Sequence, residues 1–385
     1  MTFLVHSMRV GGAEVQLSSL ARGLDRAEFA PTVVSFHSDG ELLDELRAAD
    51  VPVVTVGMRG RRDLLGLLWR VAGAVRGSRP DVVYSYLDFP NAVAAALKPW
   101  MRGSRLIFGI RASDMRLAER DRVWRAIFAA ERLLAGAADL IICNSWAGRA
   151  HLVACRFPED AITVVANGID SNCFRPDAKA RRRARAELGL VETDLAVGLV
   201  ARLDPMKDHQ TFLRAAAELA ADVPEARFVC VGDGTDQYVG ELRSLGQSLG
   251  LGDKVIWTGA RSDVPALLNA FDIATLSSAY GEGYPNVVGE GMAAGLPYVA
   301  TDVGDAARIV GDAGIVVPTG TPSALSSAWR RLAALGPDER GRIGTAARAR
   351  IVENFPPDNM VAETAAHLRR LGTRRAAQGA AREAV

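Results

Sequence analysis

What most limits how this chain can fold is an alternation, kept up along its length, of short β-rich apolar runs with longer helical segments. Candidate strands lie at 3–6, 32–36, 53–56, 82–84, 106–109, 140–143 and 162–165, with helical patterns between them at 14–24, 41–49, 64–76 and 118–135. The second half repeats the scheme. Its strands fall at 196–200, 227–231, 255–258, 273–276, 298–301 and 314–317, and its helices at 210–221, 238–249, 264–269 and 287–294. Strands that alternate with helices build parallel sheets from βαβ units. At 385 residues the chain is too long for one ordinary core, so an α/β architecture of two doubly wound domains follows. Asn167-Gly168 is a turn signal, followed by a polar, Pro-containing stretch and a basic helix at 178–188. The expected layout is a first domain at 1–170, a linker at 171–191, a second domain at 192–357 and, beyond 371, a disordered tail at 372–385. Doubly wound sheets bind ligands outside the carboxyl ends of their strands, and two facing each other make an interdomain cleft.

Bulk composition narrows the function classes. Apolar residues make up 49% and charged residues 24%, the balance of a soluble globular chain, and the net charge of +1 gives no global pull toward nucleic acid. The charge is unevenly spread: residues 51–132 hold 15 Lys/Arg against 7 Asp/Glu, a local excess of +8. That excess suits either a solvated helical surface or an anionic membrane contact. Cys143, Cys155, Cys173 and Cys230 form no C-x-x-C pair, and Cys143 and Cys230 sit in strand-like runs as buried thiols. The start, MTFLVHSM, has neither the charged n-region nor the long apolar core of a leader, and no stretch approaches the ~20 apolar residues of a bilayer span. A cytoplasmic protein, peripheral on the inner membrane face where it touches membrane at all, is the expectation.

Three motifs follow strands. Gly11-Gly12-Ala13-Glu14 opens the first helix, where free N–H groups and the helix dipole make an anion site in principle, without the G-x-G-x-x-G dinucleotide spacing. Arg202 and Lys207 flank a turn after the first strand of the second domain, a placement that suits a diphosphate. Glu282, Gly283, Tyr284, Pro285 and Asn286 then form a glycine-bearing loop into a helix that carries Glu290. A carboxylate accepts from vicinal hydroxyls, and Glu290 in an otherwise apolar helix needs a partner. The loops with Gly232 and Gly234 and with Arg261 and Val264 lie on the same edge and read individually as ordinary βα turns.

In their order and placement these residues resemble the retaining nucleotide-sugar glycosyltransferases of the GT-B fold, the family also called glycosyl transferases group 1 or glycosyltransferase family 4. The match runs to about Leu371 and is carried by Glu282-x₇-Glu290, Arg202-x₄-Lys207 and Gly11-Gly12-Ala13-Glu14. The resemblance implies that Arg202 and Lys207 hold the donor diphosphate and stabilise its charge as the sugar leaves. It implies that Gly11 and Gly12 approach the donor, that Glu290 binds ribose, and that Glu282 with residues 283–286 grips the sugar. Gly232, Gly234 and the loop from Arg261 to Val264 would frame the base. It implies front-face attack with no metal or other cofactor, and a last helix at 358–371 that packs back on the first domain. Many members carry a histidine where this chain has Arg111, which cannot act as a base at neutral pH but can bind hydroxyls or a phosphate and would suit an anionic acceptor. His6, His37, His151, His209 and His367 do not replace that histidine and read as structural or exposed.

The implied activity is transfer of a hexose-type sugar from a nucleotide diphosphate to a hydroxyl of a glycan, lipid-linked or polysaccharide acceptor. The arginine-rich stretch with Trp69, Trp100, Trp124, Arg61, Arg62, Arg102 and Arg105 fits such an acceptor at a membrane face. Two alternatives share the architecture: a nucleotide-sugar 2-epimerase, which needs no acceptor, and a non-catalytic partner subunit of a larger synthase.

Overall fold

A computed structural model describes the chain except for residues 61, 62, 102, 115, 117–121, 384 and 385, and except for the side chains of 373–383. The expected positions of Arg61, Arg62 and Arg102, and the start of the helix expected at 118–135, fall outside the described residues. The chain divides into two compact units: 1–168 with 357–385, and 169–356.

The first unit is wound from β1 (Thr2–Val5), α1 (Gly12–Gly23), β2 (Thr32–Ser35), α2 (Leu42–Ala48), β3 (Val53–Thr55), α3 (Leu64–Ser78), β4 (Val82–Tyr86), α4 (Asp88–Leu97), β5 (Arg105–Ile110), α5 (Arg122–Leu134), β6 (Leu140–Cys143), α6 (Trp146–Ala154) and β7 (Ile162–Val164). Its seven strands are parallel in the order β3-β2-β1-β4-β5-β6-β7, so the winding reverses between β1 and β4. Strands buried on both faces read as continuous apolar runs, which is why Phe3–Val5 and Leu106–Phe108 lack alternation.

The second unit runs through α7 (Ala178–Glu187), β8 (Leu195–Val200), α8 (His209–Asp222), β9 (Ala226–Val231), α9 (Asp236–Ser248), β10 (Val255–Gly259), α10 (Val264–Leu268), β11 (Ile273–Leu276), α11 (Asn286–Ala293), β12 (Tyr298–Thr301), α12 (Ala306–Val310), β13 (Ile315–Val317), α13 (Pro322–Ala333) and α14 (Pro337–Asn354). Six parallel strands take the order β10-β9-β8-β11-β12-β13, with the reversal between β8 and β11. Trp329 on α13 is fully buried against Phe212 and Phe228, and its indole N–H donates to Thr275 Oγ1 at 3.0 Å. The stretch read as a linker contains α7, which is tied to this unit by Arg181 and Arg185 on Asp272 at 2.7 and 3.2 Å.

The final helix, α15 (Pro357–Glu383), returns to the first unit, where Met360, Ala365, Leu368 and Leu371 join Leu17, Leu20 and Leu24 in one apolar cluster. Arg369 and Glu28 close its edge at 2.6 Å. The helix therefore continues past Leu371, where a disordered tail was expected, as far as Glu383. Among the described residues no helix is long and apolar enough to cross a membrane.

One buried acid sits inside the first unit. Glu131 on α5 is fully enclosed and accepts from Asn91 Nδ2 at 2.6 Å, and Ser85 Oγ donates to Asn91 Oδ1 at 2.5 Å. Burial, with the Asp88 carboxyl close by, pushes Glu131 well above the usual carboxylate range, and burial moves Asp88 up to about 6. An acid raised in the folded state keeps a proton that the unfolded chain has lost, so its contribution to stability falls as pH rises above its unfolded value. Glu131→Gln keeps the shape and the bond to Asn91 while removing the titration. It should melt no lower than wild type at pH 8 and show a flatter decline in Tm from pH 5 to 8, as read by thermal melts.

Candidate functional site

The chemistry-bearing residues of the second unit gather where β8 and β11 lie side by side and the chain leaves in opposite directions, the point at which doubly wound sheets open a ligand crevice. After β8, Asp204 caps a short turn by accepting from the Met206 N–H at 3.0 Å, and this turn carries Lys207. After β11, Ser277 Oγ donates to the Lys207 carbonyl at 2.7 Å and the Ala279 N–H to the Met206 carbonyl at 2.9 Å, which staples the two loops together. The side chains then meet: Lys207 Nζ lies 2.5 Å from Glu282 Oε1, and Ser278 Oγ donates to the same oxygen at 2.7 Å. Both members of this ion pair are largely enclosed. Arg202 is 68% exposed and pairs with Asp204 at 3.1 Å, so the two cations meet different acids. His209, next along the chain, is fully buried with neither ring nitrogen partnered among the described residues. Burial, with Lys207 nearby, moves it down to about 4, which keeps the imidazole neutral.

The loop from Gly281 is held from below. The Asp305 N–H donates to the Gly283 carbonyl at 2.9 Å, and a side chain at Gly304, whose φ is +58°, would collide with the Glu282 carbonyl. Tyr284 packs its ring on Phe355 and is buried. Pro285 occupies the N-cap position of α11, one residue before the first turn in which it was expected, and it supplies no side-chain acceptor to the helix N–H groups. Glu290 follows one turn in. Burial moves its carboxyl up to about 7, and no protein group bonds to it among the described residues. Sequence reading expected a partner for it, and the described residues provide none.

Gly232 and Gly234 have a packing reason to be glycine. Gly232 has φ +143°, and a Cβ there would lie 2.0 Å from the Ala201 carbonyl oxygen; one at Gly234 would lie 2.3 Å from that of Leu203. They let the loop after β9 press on both sides of Arg202. Arg261 is tied to Asp263 at 2.8 Å and to Glu187 at 2.5 Å, so its charge is spent within its own neighbourhood, and Val264 begins α10.

In the first unit, Gly11 precedes α1, which starts at Gly12, and a side chain at 11 would meet the Glu14 carboxylate, so Glu14 itself folds over the helix start. Burial moves the Glu14 carboxyl up. His6, at the end of β1, stacks edge-on to His37 at 4.7 Å, and burial lowers its affinity for a proton. Arg111 follows β5: Nη2 donates to Tyr84 Oη at 2.9 Å, Nη1 to Asn167 Oδ1 at 3.3 Å, and the guanidinium lies 4.4 Å from the Tyr86 ring centre.

Known proteins with the same chain pattern decide the family. Residues 10–172 match the model for Glycosyltransferase Family 4, and residues 194–334 match that for Glycosyl transferases group 1. The chain is 30% identical over 312 residues to a D-inositol 3-phosphate glycosyltransferase of Thermobispora bispora, spanning 76% of this chain and 70% of that one. It belongs to the GT-B glycosyltransferases. A putative glycosyltransferase EpsF of Bacillus subtilis is 26% identical over 309 residues, 78% of each chain. Among solved structures, Anabaena Alr3699/HepE with UDP-glucose superposes with a TM-score of 0.82 at 25% identity, covering 96% of this chain and 99% of the other. Sucrose-phosphate synthase from Thermosynechococcus elongatus superposes at 0.79 and 20% identity, covering 97% and 99%.

Within this glycosyltransferase, the structure brings Lys207 and Glu282 into contact and leaves Glu290 open, while Arg202 and Arg261 are engaged by nearby acids. Two parts of the arrangement were missed from sequence. Ser278 bonds to Glu282, and its only signal was a Ser-Ser pair ending an apolar strand. Tyr84 and Tyr86 carry Arg111, and their period-two spacing at the end of β4 places both on one face of the sheet.

Proposed function

We propose that this glycosyltransferase takes a hexose-type sugar from a nucleotide diphosphate and transfers it, with retention and without a metal, to a hydroxyl of a glycan, lipid-linked or polysaccharide acceptor. The observation that carries the reading is the group at the β8–β11 reversal: an enclosed lysine–glutamate pair, a helix start with no side-chain cap, and an unpartnered carboxyl on that helix. The lysine and the N–H groups of α11 suit a diphosphate, and Glu290 suits the vicinal hydroxyls of ribose. Anabaena Alr3699/HepE, of the same fold, was solved with UDP and with UDP-glucose. In the reaction the bond between the anomeric carbon and the phosphate oxygen breaks while the acceptor oxygen bonds to that carbon on the same face, and the acceptor proton passes to the leaving phosphate. Lys207 and Arg202 offset the charge that grows on the phosphates. Lys207 has N–H donors enough to keep Glu282 while it reaches a phosphate.

A thermal-shift panel of nucleoside diphosphates and their sugars tests the donor half. One nucleoside diphosphate at 100 times its Kd should stabilise the protein by about 2.7 kcal/mol. A flat panel would reject the reading.

Peripheral contact with an anionic membrane is part of the same proposal. Leu65 and Trp69, one turn apart on α3, are 82% and 79% exposed, and Trp100 is 54% exposed, with Arg59, Arg76 and Arg79 on the surface of the same stretch. The protein should float with vesicles containing anionic lipid at low salt and detach at high salt. Flotation that ignores lipid charge, or none at all, counts against the contact.

A further inference from the structure

We propose that Arg111 selects an acidic substrate: its guanidinium receives a carboxylate or phosphate carried by one of the two reactants. The inference rests on the transferase reading and adds the charge of a substrate to it.

Arg111 is only partly supplied by the protein. One hydroxyl, Tyr84 Oη, and one amide oxygen, Asn167 Oδ1, accept from its two terminal nitrogens, while Nε is enclosed with no acceptor. No Asp or Glu pairs with it among the described residues, and the hydroxyl of Tyr86, whose ring lies under it, is also enclosed without a partner. Other arginines withdrawn from solvent are answered more fully. Arg185, whose Nε is also without a partner, shares Asp272 with Arg181, Arg105 has Asp139, and Arg348 donates to the carbonyls of Phe174, Ala293 and Ser171.

The cradle is specific to this place. Gly109 lies beside both tyrosines: a Cβ there would collide first with the Ser85 carbonyl oxygen at 2.9 Å and then crowd the Tyr84 ring at 3.1 Å, so glycine leaves β4 and that ring in place. A guanidinium stays charged at every accessible pH, and burying its charge is costly unless an anion or a full set of acceptors answers it. Stacked on a ring, it is held flat, and Nη1 and Nη2, each with one N–H engaged, keep a second N–H apiece for the paired bonds that carboxylates and phosphates accept. A neutral sugar hydroxyl could fill a hydrogen bond there but would leave the charge unanswered. The missing anion is therefore the ligand's, and it can sit on the donor sugar as a uronic acid or on the acceptor as a phosphate.

The full chain, with Arg111→Met and Arg111→Lys variants, tests this in two steps. Without ligand, Arg111→Met should melt at the wild-type temperature or above it, because it removes an unanswered charge. A fall of more than about 5 °C would make the arginine structural and overturn the proposal. Calorimetric titration then compares UDP-glucuronate with UDP-glucose, and, with UDP present, glucose 6-phosphate with glucose. Wild type should prefer the acidic probe of one pair by at least roughly tenfold. Arg111→Met should erase the preference without changing UDP affinity, and Arg111→Lys should keep part of it. Preference in the first pair places the anion on the donor, and in the second on the acceptor. Equal affinity in both pairs with UDP still bound overturns this inference alone. A protein that binds no nucleoside diphosphate overturns the transferase reading and this inference with it.

Discussion

Lys207→Ala should lower turnover by roughly 100- to 1,000-fold, the effect of deleting one preorganised group aimed at charge that develops in the transition state. The same change also removes the partner of Glu282. Lys207 Nζ and Glu282 Oε1 are 2.5 Å apart in an enclosed pair, and without the lysine the carboxylate keeps the Ser278 hydroxyl but loses that cation. Breaking a buried pair from one side costs on the order of 3 kcal/mol or more, so Lys207→Ala should also melt well below wild type. Stability and chemistry can be separated. In Lys207→Ala with Glu282→Gln no carboxylate is left unpaired, so the double variant should recover much of the melting temperature and none of the turnover. Donor hydrolysis or transfer rates beside thermal melts provide both readouts. Recovery of activity along with stability would show that Lys207 acts only as a strut.

Glu290→Gln should move stability and nucleotide affinity in opposite directions. The wild-type carboxyl titrates at about 7 because burial disfavours its charge, against a usual 4.5. Between these values the folded protein holds a proton that the unfolded chain has released, so stability falls as pH rises through the window, by about 3 kcal/mol in all. Glutamine has no such titration, and the variant should be more stable than wild type above pH 7 by a similar amount. Ribose hydroxyls that donate to Glu290 would favour its charged form, so nucleotide binding near pH 7 should release a proton. The calorimetric heat of binding should then vary with the ionisation enthalpy of the buffer. Loss of a charge-assisted hydrogen bond should weaken the nucleotide roughly tenfold to hundredfold. A Glu290→Gln protein that is less stable but binds nucleotide as tightly as wild type would make this glutamate a structural residue.

Much of this was legible beforehand, and unevenly. Among the described residues the thirteen strands lie at the expected apolar runs, most plainly the central ones such as β1, β4 and β11, because strands covered on both faces must be apolar throughout. Many of the helices between them were legible in kind, but α4, α6, α12, α13 and α14 were not marked out; in α4, DFPNAVAAAL is apolar on most sides and follows Leu87, held at φ +72°. The extent of α15 to Glu383 was not marked out, because an Ala/Arg sequence without apolar period gives no packing signal, although alanine and arginine are good helix formers. At the site, the motifs named the residue types without their pairings. Arg261 looked available to a ligand until Asp263 and Glu187 were found against it, and Glu14 looked like a neighbour of an anion site until its own carboxylate was found covering the helix start.

The sequence by itself determined the alternation of elements, the two parallel sheets and the set of loops at their carboxyl edges. Apolar periodicity and glycine placement are local properties, and the chain carries them openly. Only the tertiary structure decided how each charge is balanced: Lys207 set on Glu282, Arg202 on Asp204, and, among the described residues, Glu290 without a partner and Arg111 stacked on Tyr86 without an acid. Charge balance depends on groups that the winding of the chain brings within a few ångströms from far apart in sequence, 75 positions for Lys207 and Glu282 and 341 for Arg369 and Glu28. No local pattern records those distances.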